Sequence, residues 1–342
     1  DDAATNAITE AVMHFEVDRQ STDDCLRAIR HDVCAVLDDV ARAVTDWKAM
    51  RGHLQQVLEQ LHSAPPRLPP SLPAPQAWPG QISEALEFLR WVDNNHFTFL
   101  GYESLHLQHD GDDLRLHVRP GSGLGLLHGD SGSSMAFAKL TPDLRRLALD
   151  PQLLVLSKSS TRSTVHRPSY LDYIGLKQFD DEGQVVGEHR FLGLYTSAAY
   201  NRVPRDIPLL REKVQRIVER AGYPANSHAA KAIVNILDNF PRDELFQLDE
   251  AELQHTTMGI LHLQERRRVR LFIHRDKFAR FYSCIVYVPR ERFNTANRLL
   301  IQEILQGTLG AYESDFNVHL SESVLARLYF VMRVHPGEEV NV

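Results

Sequence analysis

Cysteine is scarce in this chain. Cys25, Cys34 and Cys284 are the only three in 342 residues. They form no CxxC pair and their number is odd, which fits a reducing compartment better than a disulfide framework. A basic excess is missing too: 38 Lys and Arg stand against 45 Asp and Glu, a formal charge of −7. Such a chain has no global field to hold nucleic acid or an anionic membrane. No stretch approaches 18 consecutive apolar residues, and the opening DDAATNAITEAV has neither the basic nor the apolar region of a signal peptide. These absences predict a globular cytoplasmic protein with no nucleic-acid and no membrane partner. Met13 is the first methionine, and His14 to Gln20 reads as the end of a strand without a partner, so the expectation is a piece of a longer protein.

Catalytic signatures are equally thin. Gly121, Gly123 and Gly125 crowd into RPGSGLGLL, but Leu126 takes the last glycine position of GxGxxG and no GK[ST] follows. The acidic residue that a dinucleotide fold places about 20 residues on is missing as well, and a flexible turn is the better reading. Seventeen histidines occur without HExxH or close Cys/His spacing. His96, His106, His109 and His117 fall around one predicted sheet, which leaves a cluster open. Serine, histidine and aspartate are present without GxSxG, so no nucleophile is identified. No catalytic residue and no metal ligand is assigned.

What is present is a strong periodic pattern. Leu26, Ile29, Val33, Val36, Val40, Val44, Trp47, Met50, Leu54, Val57 and Leu61 recur at helical steps, with Thr22 or Asp23 as cap. Thr45 and Asp46 could divide this into two helices. Seven prolines between Ser63 and Gly80 predict an extended spacer without helix. A capped helix is expected over Ser83 to Trp91. Strands follow at Phe97 to Leu107, Leu114 to Val118, Leu153 to Ser157 and Leu171 to Phe179, continued by Val185, Val186 and Phe191 to Tyr195. Helices are expected over Ile207 to Gly222, Ala229 to Asn239 and through Leu263. A strand pair, a helix opened by Asn294 and a second strand pair close the chain, giving a sheet with helices on one face. The fold class is α+β.

Between two of these strands, Ser157 to Gly175 reads SKSSTRSTVHRPSYLDYIG, a polar loop. Its hydroxyls, the forks of Arg162 and Arg167 and the ring of His166 suit a carboxylate or phosphate. The candidate effector or anion contacts are Ser160, Arg162, Ser163, Thr164, His166, Arg167 and Tyr170. The competing reading is a domain-interface network, in which Arg167 and Tyr170 satisfy backbone carbonyls and Asp172 pairs with an arginine. The run Glu265, Arg266, Arg267, Arg268 and Arg270 sits at a helix-to-strand junction and reads first as a solvated face or an inter-subunit salt bridge, with anion binding as the alternative.

Several long segments carry a resemblance: FLRWVDNNHFTFLGYESL (Phe88 to Leu105), RPGSGLGLL, STRSTVHRPSYLDYIG, HRFLGLYTSAAYNR (His189 to Arg202), NFPRDELFQ (Asn239 to Gln247), GILHLQERRRVRLFIHRD (Gly259 to Asp276) and YVPRERFNT (Tyr287 to Thr295). In this order they resemble the N-terminal region of the large NAD-specific glutamate dehydrogenases of bacteria. The resemblance implies a helical segment after an absent or partial ACT-type domain (1–62), a Pro-rich linker (63–80), a PAS-like antiparallel-sheet domain (81–205), a helical connector (206–257) and an ACT-type, ferredoxin-like sandwich (258–336). The element order αββαββ departs from the βαββαβ of an ideal ACT module, which implies a rearranged version. It further implies a noncatalytic regulatory or assembly fragment with no cofactor of its own, NAD serving the parent enzyme. The implied partners are the catalytic domain of the same polypeptide, further copies in a homo-oligomer and an amino-acid or small anionic effector. A purely structural oligomerisation region is the alternative.

Overall fold

The computed structural model describes residues 12–67, 77–110, 113–129, 142–263, 266–321 and 323–335. Helix α1 (Asp23–Ser63) begins where the Thr22 hydroxyl accepts the Cys25 N–H, with Asp23 and Asp24 at the positive end of the helix dipole. It runs unbroken through Thr45 and Asp46. Instead of capping a second helix, the Asp46 carboxylate accepts the Gly125 N–H at 2.8 Å. Only the second half of α1 is buried, through Ala43, Met50, Leu54, Val57 and Leu61. The expected strand end at His14 to Gln20 does not form; those residues lie outside any sheet, and all but the half-buried Gln20 are exposed.

The proline-rich segment is shorter than its composition suggests. Helix α2 (Trp78–Trp91) starts inside it, because a proline in the first turn forgoes an N–H that has no helical acceptor anyway. Pro79 occupies that turn, Trp78 is buried, and its indole N–H donates to the Pro66 carbonyl at 3.0 Å. Residues 68–76, the middle of the expected spacer, lie outside the described residues.

The first sheet contains β1 (Phe97–Asp110), β2 (Asp113–Val118), β3 (Leu124–Gly125), β4 (Leu154–Arg162), β5 (Tyr170–Phe179) and β6 (Val185–Tyr195), with α3 (Pro142–Leu149) before β4. All pairings are antiparallel, in the order β2-β1-β6-β5-β4, with β3 on β1. Period-two alternation sends Ile174, Leu176 and Phe191 to the core under α2, and Tyr173, Leu192 and Leu194 to the face that meets Ala43. Gly193 admits the approach of β1, since a Cβ there would lie 2.1 Å from the Thr98 carbonyl oxygen. The predicted flexible turn at Gly121 to Gly125 is instead a packed one. Gly125 has φ +61, and a side chain there would strike the Leu100 carbonyl at 2.3 Å.

The predicted polar loop Ser157 to Gly175 is largely sheet. β4 extends to Arg162 and β5 begins at Tyr170, so only 163–169 is a connection. β5 pairs with this polar sequence at Ser157, Lys158 and Arg162, with an irregularity in register between the last two, and so holds as strand a segment that lacks the apolar pattern of one.

Five helices follow: α4 (Ser197–Asn201), α5 (Leu210–Arg220), α6 (His228–Asp238), α7 (Arg242–Gln247) and α8 (Glu250–Leu263). Ser227 caps α6 through the Ala230 N–H. The second sheet consists of β7 (Arg270–Arg275), β8 (Phe281–Pro289), β9 (Glu313–His319) and β10 (Leu325–Arg333), in the antiparallel order β7-β8-β10-β9. Helix α9 (Thr295–Leu309), capped by Asn294 and ended by Gly310 at φ 64, packs Leu305 and Leu309 on one face. The other face meets the main core through Ile285 and Tyr329. The α+β reading therefore holds, with two antiparallel sheets. Among the described residues, no helix is long and apolar enough to cross a membrane.

Candidate functional site

Alternation along β10 builds the wall of a cleft. Ala326, Leu328, Phe330 and Met332 enter the core beneath α9, so Arg327, Tyr329, Val331 and Arg333 face the opposite way. There, the β4–β5 hairpin, the turn between α6 and α7, and strands β9 and β10 enclose about 960 Å³. Six residue steps along the strand separate Arg327 from Arg333, roughly 20 Å at the usual rise per residue. The cleft accordingly has two cationic poles.

At the first pole stand Arg167, Arg242 and Arg327. Each is anchored to a main-chain carbonyl: Arg167 donates to Tyr195 at 2.8 Å, Arg242 to Arg202 at 2.6 Å, and Arg327 to Asn239. None is joined to a described carboxylate. The Nε atoms of all three, and Nη1 of Arg242, are buried without a partner. Burial lowers the pKa of Arg242, with Asp238 and Asp243 pulling the other way, and burial lowers that of Arg327 too, against the Tyr287 hydroxyl. Asp238 accepts from Arg205 at 2.9 Å through Oδ2, while its Oδ1 is buried and unpartnered.

The second pole holds Arg162, Tyr170 and Arg333. Arg333 is 1% exposed, donates to the Ser159 carbonyl at 3.2 Å and lies over the Tyr170 ring, Cζ 3.2 Å from its centroid. The Tyr170 hydroxyl donates to Glu313, and burial together with that carboxylate pushes its pKa up to about 12. Arg162 lies 3.4 Å from Glu313 and 3.5 Å from Asp315, with its side chain 49% exposed. Unlike the first pole, this one carries its own counter-charge.

Between the poles the floor is closed by paired groups. Lys158 lies 2.6 Å from Asp172 and 3.3 Å from Asp243, and the Tyr200 hydroxyl donates to Asp243 at 2.9 Å. Burial opposes the Lys158 charge, but the two aspartates outweigh it and raise its pKa. Behind, Ser157 donates to Asp276 at 2.7 Å and accepts from Arg280 at 2.9 Å. Glu244 accepts from Ser283 at 2.7 Å and from Tyr329 at 2.8 Å. These contacts join the two sheets and the helices between them.

Of the seven contacts expected from sequence, Arg162, Arg167 and Tyr170 line the cleft. The other four lie outside it. Ser160 and His166 are exposed, the latter at φ 70. Ser163 is buried and donates to the Val165 carbonyl, and Thr164 donates to Asp39 of α1. Elements of the interface-network reading also occur: Arg167 does satisfy a backbone carbonyl. Tyr170 meets a carboxylate, however, and Asp172 pairs with Lys158, which stands directly across the ladder on β4, rather than with an arginine.

Three arginines escaped the sequence reading: Arg242, Arg327 and Arg333. A signal for each was present. LARLYFVMR places two cations on the same parity of an otherwise apolar strand, and a cation in the first turn of α7 opposes the helix dipole. Among the histidines, His106 and His117 stack across β1 and β2, and His96 is buried against Trp91. The side chain of His109 lies outside the described residues, and among the described residues no group of three or more His, Cys, Asp or Glu is arranged to hold a metal ion.

Comparison with known proteins places this geometry. Residues 207–266 match the sequence family described as glutamate dehydrogenase, helical motif 1, and 270–342 match glutamate dehydrogenase, ACT2 domain. NAD-specific glutamate dehydrogenase of Halomonas elongata is 40% identical over 334 residues, covering 96% of this chain and 20% of that protein. Over nearly its whole length the chain is therefore similar to a region of the large bacterial NAD-specific glutamate dehydrogenases. The protein of the same description from Pseudomonas aeruginosa is 35% identical over 97% of this chain and 20% of its own length. That from Mycobacterium tuberculosis is 30% identical over 95% and 18%. The chain thus spans about one fifth of these glutamate dehydrogenases. Within the family's divisions, Arg242 comes from the helical motif and Arg327 and Arg333 from the ACT2 domain, whereas Arg162, Arg167 and Tyr170 precede both. The cleft lies where the three meet.

Proposed function

We propose that this chain is a noncatalytic regulatory and assembly segment of a cytoplasmic NAD-dependent glutamate dehydrogenase. The parent reaction is oxidation of L-glutamate with NAD and water to 2-oxoglutarate, ammonium and NADH, carried out by a catalytic domain elsewhere in the same polypeptide. In this reading 81–205 is a PAS-like unit and 258–336 an ACT-type, ferredoxin-like one, and an amino acid or small anion binds in the cleft between them. The observation that carries it is the placement of unpaired cations at the meeting point of three structural units. A ligand there favours whichever relative arrangement of those units closes around it, and differential affinity of that kind is what couples a site to a distant reaction.

A thermal-shift screen of amino acids and nucleotides on this chain tests the sensing role. A ligand at 100 times its Kd adds roughly 2.7 kcal/mol of stability. If no compound moves the melting temperature, the segment senses nothing by itself.

A purely structural reading draws on a different observation. Leu26, Val33, Leu37, Val44 and Trp47 are exposed along α1, and Leu299, Leu300 and Ile304 along α9. Apolar helix faces of this kind suit contacts between copies. Mass measurement in solution decides: a strictly monomeric chain removes the support for assembly through these faces.

A further inference from the structure

The two poles of the cleft differ, and the difference defines a ligand. Arg162 and Tyr170 at the second pole are already engaged by Glu313 and Asp315. At the first pole, Arg167, Arg242 and Arg327 are held by neutral partners, chiefly backbone carbonyls, which orient a guanidinium without neutralising it. Beside them Asp238 keeps one carboxylate oxygen buried and unused, close enough to Arg242 for each to feel the other's charge. Unmet donors alone would fit any oxyanion. An unmet acceptor next to them excludes a ligand that is acceptor on every side.

We infer that the first pole, formed by Arg167, Arg242 and Arg327 with Asp238 at its edge, is a binding site for an oxyanion that carries its own hydrogen-bond donor. The guanidinium groups take the anionic oxygens and Asp238 takes the donor. All four residues line the cleft, and because the unpartnered atoms are buried, binding is accompanied by a rotation of the side chains that brings them to the ligand. Two chemistries meet this description: a hydrogen phosphate group, through its P–OH, and an α-amino acid, through its ammonium. The inference rests on the cleft being an effector site and gives that site its selectivity rule.

Paired probes test it by calorimetry on this chain at slightly acidic pH, where phosphate keeps a hydroxyl. Phosphate is compared with sulfate, and L-glutamate with glutarate; the members of each pair share their anionic groups and differ in the donor. At least one donor-bearing probe is expected to bind tenfold or more tightly than its partner, and the winning pair identifies the chemistry. Arg242→Gln and Arg327→Gln, on separate elements, are each expected to weaken that binding at least tenfold. Asp238→Asn is expected to abolish the preference, whereas Arg220→Gln, which removes an exposed cation paired with Glu250, leaves it intact. Equal binding within both pairs, no binding at all, or arginine variants that bind like the parent chain would overturn the inference.

The full-length enzyme separates this inference from the regulatory reading. Binding of the predicted kind with an unaltered dehydrogenase rate supports the site and sinks regulation through it. An effector-responsive rate in an enzyme whose response survives Arg242→Gln and Arg327→Gln overturns the site and leaves regulation standing.

Discussion

Two buried charge systems lie within one chain and are built on opposite plans. In the first sheet, Arg190 of β6 meets Glu103 of β1, Lys177 of β5 lies 2.8 Å from Glu188, and the Tyr173 hydroxyl also donates to Glu188. All are nearly inaccessible to solvent. Burial alone would raise the Glu188 pKa, yet Lys177 and Arg190 outweigh it and lower it; burial opposes the Arg190 charge, and its anionic neighbours raise its pKa regardless. Among the cleft arginines burial prevails instead, and Arg242, Arg327 and Arg333 all have lowered pKa values. A closed network holds strands in register. An open one keeps its cations available to something from outside.

The largest expected effect comes from opening the closed network. Arg190→Leu leaves Glu103 buried without its partner and should destabilise the chain by about 3–5 kcal/mol in urea unfolding. A loss under about 1 kcal/mol would break the distinction between the two regions, since that is what an exposed pair contributes.

Next in size is an acid effect beside that network. His189 lies between the Tyr102 hydroxyl and Gln178, and burial, with His53 and Arg119 adding to it, lowers its pKa to about 4. A histidine held neutral in the fold contributes stability that is complete above its ordinary pKa of about 6.5 and disappears as pH falls through 4. The loss should be on the order of 3 kcal/mol across that window. His189→Asn should flatten the pH dependence; an unchanged profile would show that another group titrates.

Cleft arginines should behave in the opposite way. Arg242→Leu orphans no carboxylate, so stability should change by only about 1 kcal/mol in either direction, while anion binding is lost. A cost near that of Arg190→Leu would mean that the cleft, too, is a structural network. Arg162→Gln should have the smallest effect, about 0.2–1 kcal/mol and shrinking as salt is added, because its acidic partners are half in solvent.

Most of the fold could be read from period and punctuation. The helical face from Leu26 to Leu61, the Asn294 cap and the alternation in β8 and β10 all express local rules. Errors arose where tertiary contacts supplied what local composition lacked. Pro79 forms part of a helix because Trp78 is anchored to Pro66, and Ser157 to Arg162 is a strand because β5 pairs with it. Site residues were harder to find. Arg162, Arg167 and Tyr170 are neighbours in sequence and were found together, but their companions Arg242, Arg327 and Arg333 lie 72 to 171 residues further along, joined only by the folding of two sheets across α7. Ser163 and Thr164 failed as contacts for a simple reason: short hydroxyl side chains are satisfied by the nearest backbone or carboxylate.

The parity of β10 has a further consequence. Its antiparallel partners are fixed by ladders on both sides, Phe330 opposite Cys284 of β8 and opposite Phe316 of β9. A slip of one residue would send Arg327 and Arg333 under α9 and turn Leu328 and Phe330 outward, losing the core and the cleft together. The strand thus acts as a built-in proofreader: a chain that has misaligned its last sheet cannot keep a working cleft, and a chain that has the cleft has already aligned the sheet.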